Sequence, residues 1–400
     1  MRKLIIFPSS CAALGGITVS LGLMIKGFEQ CGLSDQLCVL VQSGSLMEDY
    51  LQHLGYGYCL QSIPAPNRQF FKLANRWVNQ KPNDWPLLLD NCFSCSHLLP
   101  SIALAIPALC WSSRPVFHFF HDLASSYNPL GNLARRFIFA CLSPNAICNS
   151  YFTAKHINQA FTAKIEGILY QPVNITDFSD SPTTNSPTLG LQPILASGAK
   201  IMFTPSRITE PGHINDKNLR GLILVLAQLK HLGHHYHGVI IGQDYSPNKL
   251  HTSTLLELAE QLGVAERLTI LPPTFAIKDY YQYADVVVTL APREPFGRTV
   301  VEAIACGVPV VGSKTGGIGE ILDNFASQWT VDPDNPMAVA QTIIRVAEDA
   351  NTSLVLAQGQ KWVESHCSPA KYAQKIVEIV NLNSPIANQK QTISTLVTKR

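Results

Sequence analysis

Two glutamates, Glu294 and Glu302, stand on either side of Gly297 and the start of a helix. This spacing suits an anionic ligand that carries hydroxyls at both ends. Residues 289–320 read TLAPREPFGRTVVEAIACGVPVVGSKTGGIGE. The apolar run before them, residues 286–290, predicts a buried strand. A short loop follows, holding Glu294, Pro295, Phe296 and Gly297. The pattern then predicts a helix from Arg298 to about Cys306, stopped by Gly307 and kept from restarting by Pro309. Residues 308–311 predict a second buried strand, and Gly316-Gly317-Ile318-Gly319-Glu320 opens another helix. Free N–H groups at a helix start, with a glycine that lets a ligand approach, make an anion site suited to phosphate.

Carboxylates on both sides of such a site can accept hydroxyl hydrogen bonds from two ends of one molecule. Sugar, diphosphate and ribose in a row have this layout. The alternative for either glutamate alone is a solvated helix-start residue favoured by the dipole.

The elements that position this stretch alternate strand and helix along the chain, which predicts parallel sheets with ligands at the carboxyl ends of the strands. Residues 3–7 predict the first strand. A loop of small residues ending in Gly15-Gly16 leads to a helical face of Ile17, Leu21, Met24, Ile25 and Phe28. Further strands are predicted at 36–41, 85–90, 115–119 and 145–150, with helices at 46–53 and 151–160. Residues 181–198, in a polar stretch with Pro and Thr and no periodicity, predict a linker or exposed insertion. A second domain then runs over 199–365. It has strands at 200–203, 238–241 and 268–271, and a helical face of Leu219, Leu222, Ile223, Leu226 and Leu229 with Asp216 as its cap. Helices are predicted after Met337 and over 370–380, and residues 381–400 are expected to be a loose tail.

Composition sets the outer bounds. A chain of 400 residues predicts two domains. High apolar content with little charge is globular, and a net charge of +2 gives no argument for nucleic acid. Eleven cysteines without framework spacing favour reduced thiols and a cytoplasmic setting. Pro8 ends the first apolar run too early for a signal peptide, and no apolar run reaches membrane-spanning length. Arg135, Arg136, Lys155 and Lys164 make the second quarter locally basic. They read as a solvated face, with peripheral contact to an acidic lipid surface, at the inner membrane face, as the alternative.

Metal chemistry has weak support. Cys92 and Cys95 form a C-x-x-C with His97 nearby, but no second ligand pair stands at suitable spacing. His231, His234, His235 and His237 read as a helix-to-strand turn. Asp332-Pro333-Asp334 reads as capping and turn chemistry.

The segment EPFGRTVVEAIACGVPVV, with the later Gly-Gly, resembles the glutamate-seven-residues-glutamate motif of retaining glycosyltransferases of family 4 (glycosyl transferases group 1). That resemblance implies an α/β GT-B fold: two Rossmann-like parallel-sheet domains facing a central crevice. The first, residues 1–180, would be an acceptor domain completed by a C-terminal helix near 366–380. The second would bind the donor.

By the same resemblance, Glu294 holds the transferred sugar and Glu302 the ribose. Phe296, Gly297 and Arg298 line the donor site. Gly15 and Gly16 lie close to the donor phosphate. His121, at a strand's carboxyl end and followed by Asp122, faces the donor sugar, whereas His118 reads as a partnered core side chain. Arg207 and Lys217 hold the diphosphate, although the insertion between them is wider than usual in the family. Backbone following the strand that ends at Leu271 touches the base.

The implied reaction moves a sugar from a UDP- or GDP-sugar to a hydroxyl, with retention, in glycan, glycolipid or cell-envelope polysaccharide synthesis. The acceptor would be a carbohydrate or lipid-linked. No cofactor or metal is expected, since the nucleotide-sugar is a substrate. The rival readings are a nucleotide-sugar epimerase or a phosphorylase on the same fold, and a non-catalytic sugar-nucleotide-binding subunit.

Overall fold

A computed structural model describes residues 1–11, 15–66, 69–174, 190–212, 214–274 and 276–383. Two parallel sheets organise the chain. The first has seven strands: β1 (Leu4–Pro8), β2 (Leu37–Gln42), β3 (Leu60–Ile63), β4 (Leu87–Asp90), β5 (Val116–Phe120), β6 (Asn145–Cys148) and β7 (Ile165–Ile168). Their spatial order is β3-β2-β1-β4-β5-β6-β7. The second has six: β8 (Lys200–Pro205), β9 (Tyr236–Ile241), β10 (Leu268–Leu271), β11 (Val286–Thr289), β12 (Val310–Ser313) and β13 (Thr330–Val331), ordered β10-β9-β8-β11-β12-β13. In both sheets the order reverses beside the first strand, at β1/β4 and at β8/β11. Such a switch point leaves a crevice at the carboxyl ends of the strands. Two Rossmann-like domains are therefore present.

The central strands carry unbroken apolar runs because helices cover both faces of a parallel sheet. Leu4–Pro8 and Val286–Val288 are buried throughout. Three short strands lack that signal. Leu60–Ile63 mixes polar with apolar residues, Ile165–Ile168 lies half-buried at the sheet edge, and Thr330–Val331 has only two residues. Each lies at a sheet edge, where one side stays uncovered and no long apolar run is required.

Each sheet has its own hydrophobic core. Helix Thr352–Cys367 packs in the second core. Ser368 then turns the chain, and helix Pro369–Ile379 places Tyr372, Ala373 and Ile376 in the first. That helix crosses from the second core to the first. It lies against helix Gly16–Gln30 so closely that a Cβ on Gly27 would stand 2.0 Å from the Pro369 carbonyl oxygen.

Part of the expected linker has defined structure. Helix Gln192–Ala196 forms there, and Leu191 and Ile194 are buried in the second core. Two apolar anchors in a polar stretch are too few to show as periodicity. The rest of that stretch, over 175–189, and the tail over 384–400 lie outside the described residues. Arg135, expected on a basic surface, is buried. Its guanidinium donates to the Phe93 carbonyl (2.9 Å) and to Ser96 Oγ (2.6 Å).

The helix pair at Gly27 supplies a stability prediction. Gly27→Ala should lower the thermal midpoint by several degrees, because overpacking against backbone costs about 1–3 kcal/mol. Gly22→Ala in the same helix meets only ordinary contacts, the nearest at 3.5 Å. It should leave the midpoint unchanged or raise it, since alanine favours helix by about 1 kcal/mol. Thermal unfolding of both variants checks the pair. Equal midpoints would contradict the close crossing.

Candidate donor site and domain interface

The loop after β11 is shaped by its neighbours. Gly297 has φ +99° and caps helix Arg298–Ala305 at its N-terminus. A side chain there is strained, and glycine removes the strain. The loop rests on the turn that opens helix Gly316–Leu322. The Gly317 N–H donates to the Glu294 carbonyl at 2.7 Å. A Cβ on Gly316 would stand 2.8 Å from that carbonyl oxygen, and one on Gly317 would stand 2.3 Å from the Phe296 carbonyl oxygen. Backbone packs on backbone here, with Phe296 buried beneath.

Lys217 Nζ pairs with Glu294 Oε2 at 2.5 Å, both side chains mostly covered. Lys217 lies just before helix Leu219–His231, not in its first turn as expected. Asn218, with φ +48°, is the N-cap, while Asp216 Oδ1 accepts the Asn218 N–H at 2.7 Å. A cation two residues outside the helix avoids most of the dipole's opposition.

Glu302 is held at both oxygens. Arg298 Nε donates to Oε1 at 2.7 Å, and the Tyr281 hydroxyl donates to Oε2 at 3.0 Å. Burial, and then the Glu302 charge, push the Tyr281 phenol well above its ordinary pKa, so it stays a donor. Arg298 Nη1 also reaches across to Ser20 Oγ of the first domain at 2.8 Å, and Ser20 donates to the Gly16 carbonyl at 2.9 Å. A Cβ on Gly16 would stand 3.7 Å from Arg298 Cδ. The glycine loop of the first domain therefore faces Arg298 and Glu302 of the second. Gly15 has extended backbone and open space where a Cβ would go.

Three further candidates remain. Arg207 is exposed beyond the end of β8, and its guanidinium has no partner among the described residues. Leu271 ends β10 and accepts the Gly242 N–H at 3.2 Å. His121 is buried one residue past β5. One ring nitrogen, Nε2, lies 2.7 Å from Asp90 Oδ1, and the other, Nδ1, lies 2.9 Å from Gln171 Nε2. With both nitrogens held, the ring is fixed in place and its edges face protein. His118 is core, as expected: its Nε2 accepts the Phe93 N–H at 3.0 Å, and burial holds its pKa well below the usual value.

Several site residues left little or no sequence signal. Glu320 ends the motif stretch, yet its carboxylate bonds to residues from the first part of the chain. It accepts the Tyr151 and Phe152 N–H groups at 2.9 and 2.8 Å, and the Tyr170 hydroxyl at 3.1 Å. A carboxylate thus caps helix Tyr151–Phe161 from outside its own domain, where the dipole favours it. Ser150 and Thr153 donate to the Pro295 carbonyl at 2.5 and 3.0 Å. The Ser150 N-cap was readable as a serine before a helix; its inter-domain bond was not.

Asp332 pairs with Lys314 and accepts the Asp334 N–H, which is turn chemistry. Among the described residues, no three His, Cys, Asp or Glu side chains are grouped to hold a metal ion. Cys92 is buried, with its thiol pKa pushed well above the usual value by burial.

Residues 200–362 match the family model of Glycosyl transferases group 1. A D-inositol 3-phosphate glycosyltransferase of Salinispora tropica is 36% identical over 107 residues, covering 26% of this chain and 22% of that protein. Another from Thermobispora bispora is 25% identical over 218 residues, covering 53% and 50%. These alignments span half or less of each relative. The crystal structure of Anabaena Alr3699/HepE in complex with UDP and glucose matches with a TM-score of 0.76 and 18% identity, over 95% of this chain and all of that one. Sucrose-phosphate synthase of Thermosynechococcus elongatus matches with a TM-score of 0.66 and 15% identity, over 95% and 98%. The fold is GT-B, and the second domain carries the match to Glycosyl transferases group 1, which together support a glycosyltransferase.

Proposed function

We propose that this protein is a retaining glycosyltransferase of family 4 that moves a sugar from a UDP- or GDP-sugar to a hydroxyl acceptor. The observation that carries the reading is the pairing Lys217–Glu294 beside the Gly297 helix start, with Arg298–Glu302 one turn further on. Cation, carboxylate and helix-start N–H groups are the kinds of partner that the diphosphate and hydroxyls of a nucleotide-sugar require. The structure of Alr3699/HepE with UDP-glucose, on the same fold, agrees with a donor of this class.

In this reading the crevice must stabilise a departing diphosphate and an oxocarbenium-like sugar. Arg207, Lys217 and the N–H groups at Arg298 and Thr299 take the leaving charge. Lys217 exchanges its bond to Glu294 for one to phosphate, which frees Glu294 for the sugar hydroxyls. Glu302, held still by Tyr281 and Arg298, accepts from the ribose. Leu271 and the backbone after it border the base. Gly15 and Gly16 leave room for the diphosphate and the acceptor. His121, fixed by Asp90 and Gln171, supports the wall of the sugar pocket. The leaving phosphate oxygen accepts the acceptor's proton on the same face, and the scheme uses no metal. The acceptor is a carbohydrate or a lipid-linked hydroxyl, met on the cytoplasmic side in glycan, glycolipid or envelope polysaccharide synthesis.

A thermal-shift panel of nucleotide sugars should first identify the donor, since only a ligand of the native state raises the midpoint by mass action. With that donor, Arg207→Ala should lower turnover at least about a hundredfold, the loss typical of a removed charge-stabilising donor. Near-normal turnover at saturating donor would contradict the role.

The two glutamates should divide. Glu294→Ala should cripple turnover yet leave calorimetric affinity for the nucleoside diphosphate nearly unchanged. Glu302→Gln keeps an acceptor for Tyr281 but loses the charge. It should weaken that affinity roughly tenfold, since a hydrogen bond to a charged group is worth about 1.5–3 kcal/mol. Equal losses in both variants would refute the division. Binding with no turnover under any acceptor would favour a non-catalytic subunit.

A further inference from the structure

Helices Leu99–Trp111 and Pro129–Leu142 lie side by side outside the first sheet, with Cys110 Sγ 3.8 Å from the Cys141 carbonyl oxygen. Each buries one apolar face. A surface helix then normally shows polar residues on the other. Here the outer faces carry Leu104 and Trp111, both 85% exposed, with Leu130, Leu133 and Phe137 on the second helix at 63% or more. Positions 130, 133 and 137 recur at helical spacing, as do 104 and 111, so each of the two neighbouring helices carries an exposed apolar stripe. Single exposed apolar residues are ordinary; large ones recurring on two neighbouring helices mark a contact surface.

The charges around the patch identify its partner. Between residues 91 and 164 the only acidic residue is Asp122, and its oxygens accept from Asn91, Ser94 and Ala124. Arg136, Lys155 and Lys164 are exposed in the same stretch. Lys164 pairs with Glu166 just beyond it. Arg136 and Lys164 also line an open cavity of about 510 Å³ between the C-terminal ends of helices Pro129–Leu142 and Tyr151–Phe161. A two-fold contact with a second copy would pair the apolar stripes but offer these cations no free carboxylate from the same stretch. Apolar stripes bordered by cations suit an anionic bilayer instead.

We propose that this face docks on an anionic lipid surface, with Trp111, Leu104 and Phe137 entering the headgroup boundary and Arg136 and Lys164 meeting lipid phosphates. Both helices begin near the carboxyl ends of β4 and β5, so one end of the face opens toward the crevice. Tyr127, just before the second helix, donates to the Ile214 carbonyl of the other domain at 3.3 Å. A membrane-embedded acceptor would thus be delivered to the crevice mouth. That last step rests on the proposed transferase reading; the docking does not.

Vesicle flotation of the full chain tests the docking. Partitioning onto phosphatidylglycerol-containing vesicles should exceed that onto pure phosphatidylcholine by at least about tenfold. The exposed-site double variant Trp111→Ser/Phe137→Ser should lose at least about tenfold in partitioning with its thermal midpoint unchanged. Arg136→Gln should lose roughly fivefold, and only on anionic vesicles. Equal partitioning of wild type and double variant would overturn the proposal. So would a concentration-dependent dimer, seen in light scattering, that the double variant abolishes. Nucleoside-diphosphate titration of the same samples reports on the donor reading separately, so either idea can fail alone.

Discussion

The arrangement of the candidate site depends on one close backbone contact. Residues 294–297 lie directly on the turn that opens helix Gly316–Leu322, and only glycine fits at 316 and 317. A side chain at either position would lift the loop, and with it Glu294 and the N–H groups of the Arg298 helix. The glycines therefore act on the ligand groups indirectly, by setting where the loop can sit. The same loop presents the Pro295 carbonyl to Ser150 and Thr153 of the first domain. Groups assigned to the donor and groups that join the domains are thus neighbours on one short segment, so a change in one is felt by the other.

Electrostatics follows from that placement. Arg298 at the first position of a helix is opposed by the dipole, and Glu302 one turn on offsets this. Lys217 and Glu294 form a second, largely covered pair. A covered ion pair gives little net stability, because desolvation cancels much of the attraction. Exchange of one partner for a ligand of the same charge is then inexpensive. In the proposed reaction the diphosphate takes the place of Glu294 at Lys217. Arg207, exposed and unpartnered among the described residues, adds charge without having to give up a bond.

Much of this was legible in the sequence, for identifiable reasons. The strand residues Leu4–Phe7, Val286–Val288 and Val310–Val311 are buried under helices on both faces of their sheets and are apolar, so they show as runs. Gly297 and Gly307 punctuate the helix between them. The crossing of helix Pro369–Ile379 onto the first core was expected from resemblance alone. Edge strands such as Leu60–Ile63 escaped notice because half their surface is uncovered. Contacts far apart in the chain also escaped. Nothing near Glu320 marks Tyr151 as its partner, and nothing near His121 marks Gln171. The buried Arg135 reads as a surface cation by type, and only its packing against the Phe93 carbonyl shows otherwise.

The most direct test of the account is a crystal structure with an unreacted nucleotide-sugar donor. The account predicts the diphosphate within hydrogen-bond distance of the N–H groups at Arg298 and Thr299, with Lys217 turned from Glu294 to phosphate. The sugar should lie on the Glu294 side and the ribose on the Glu302 side. A diphosphate bound elsewhere, or a donor running in the opposite sense with Lys217 still on Glu294, would contradict it.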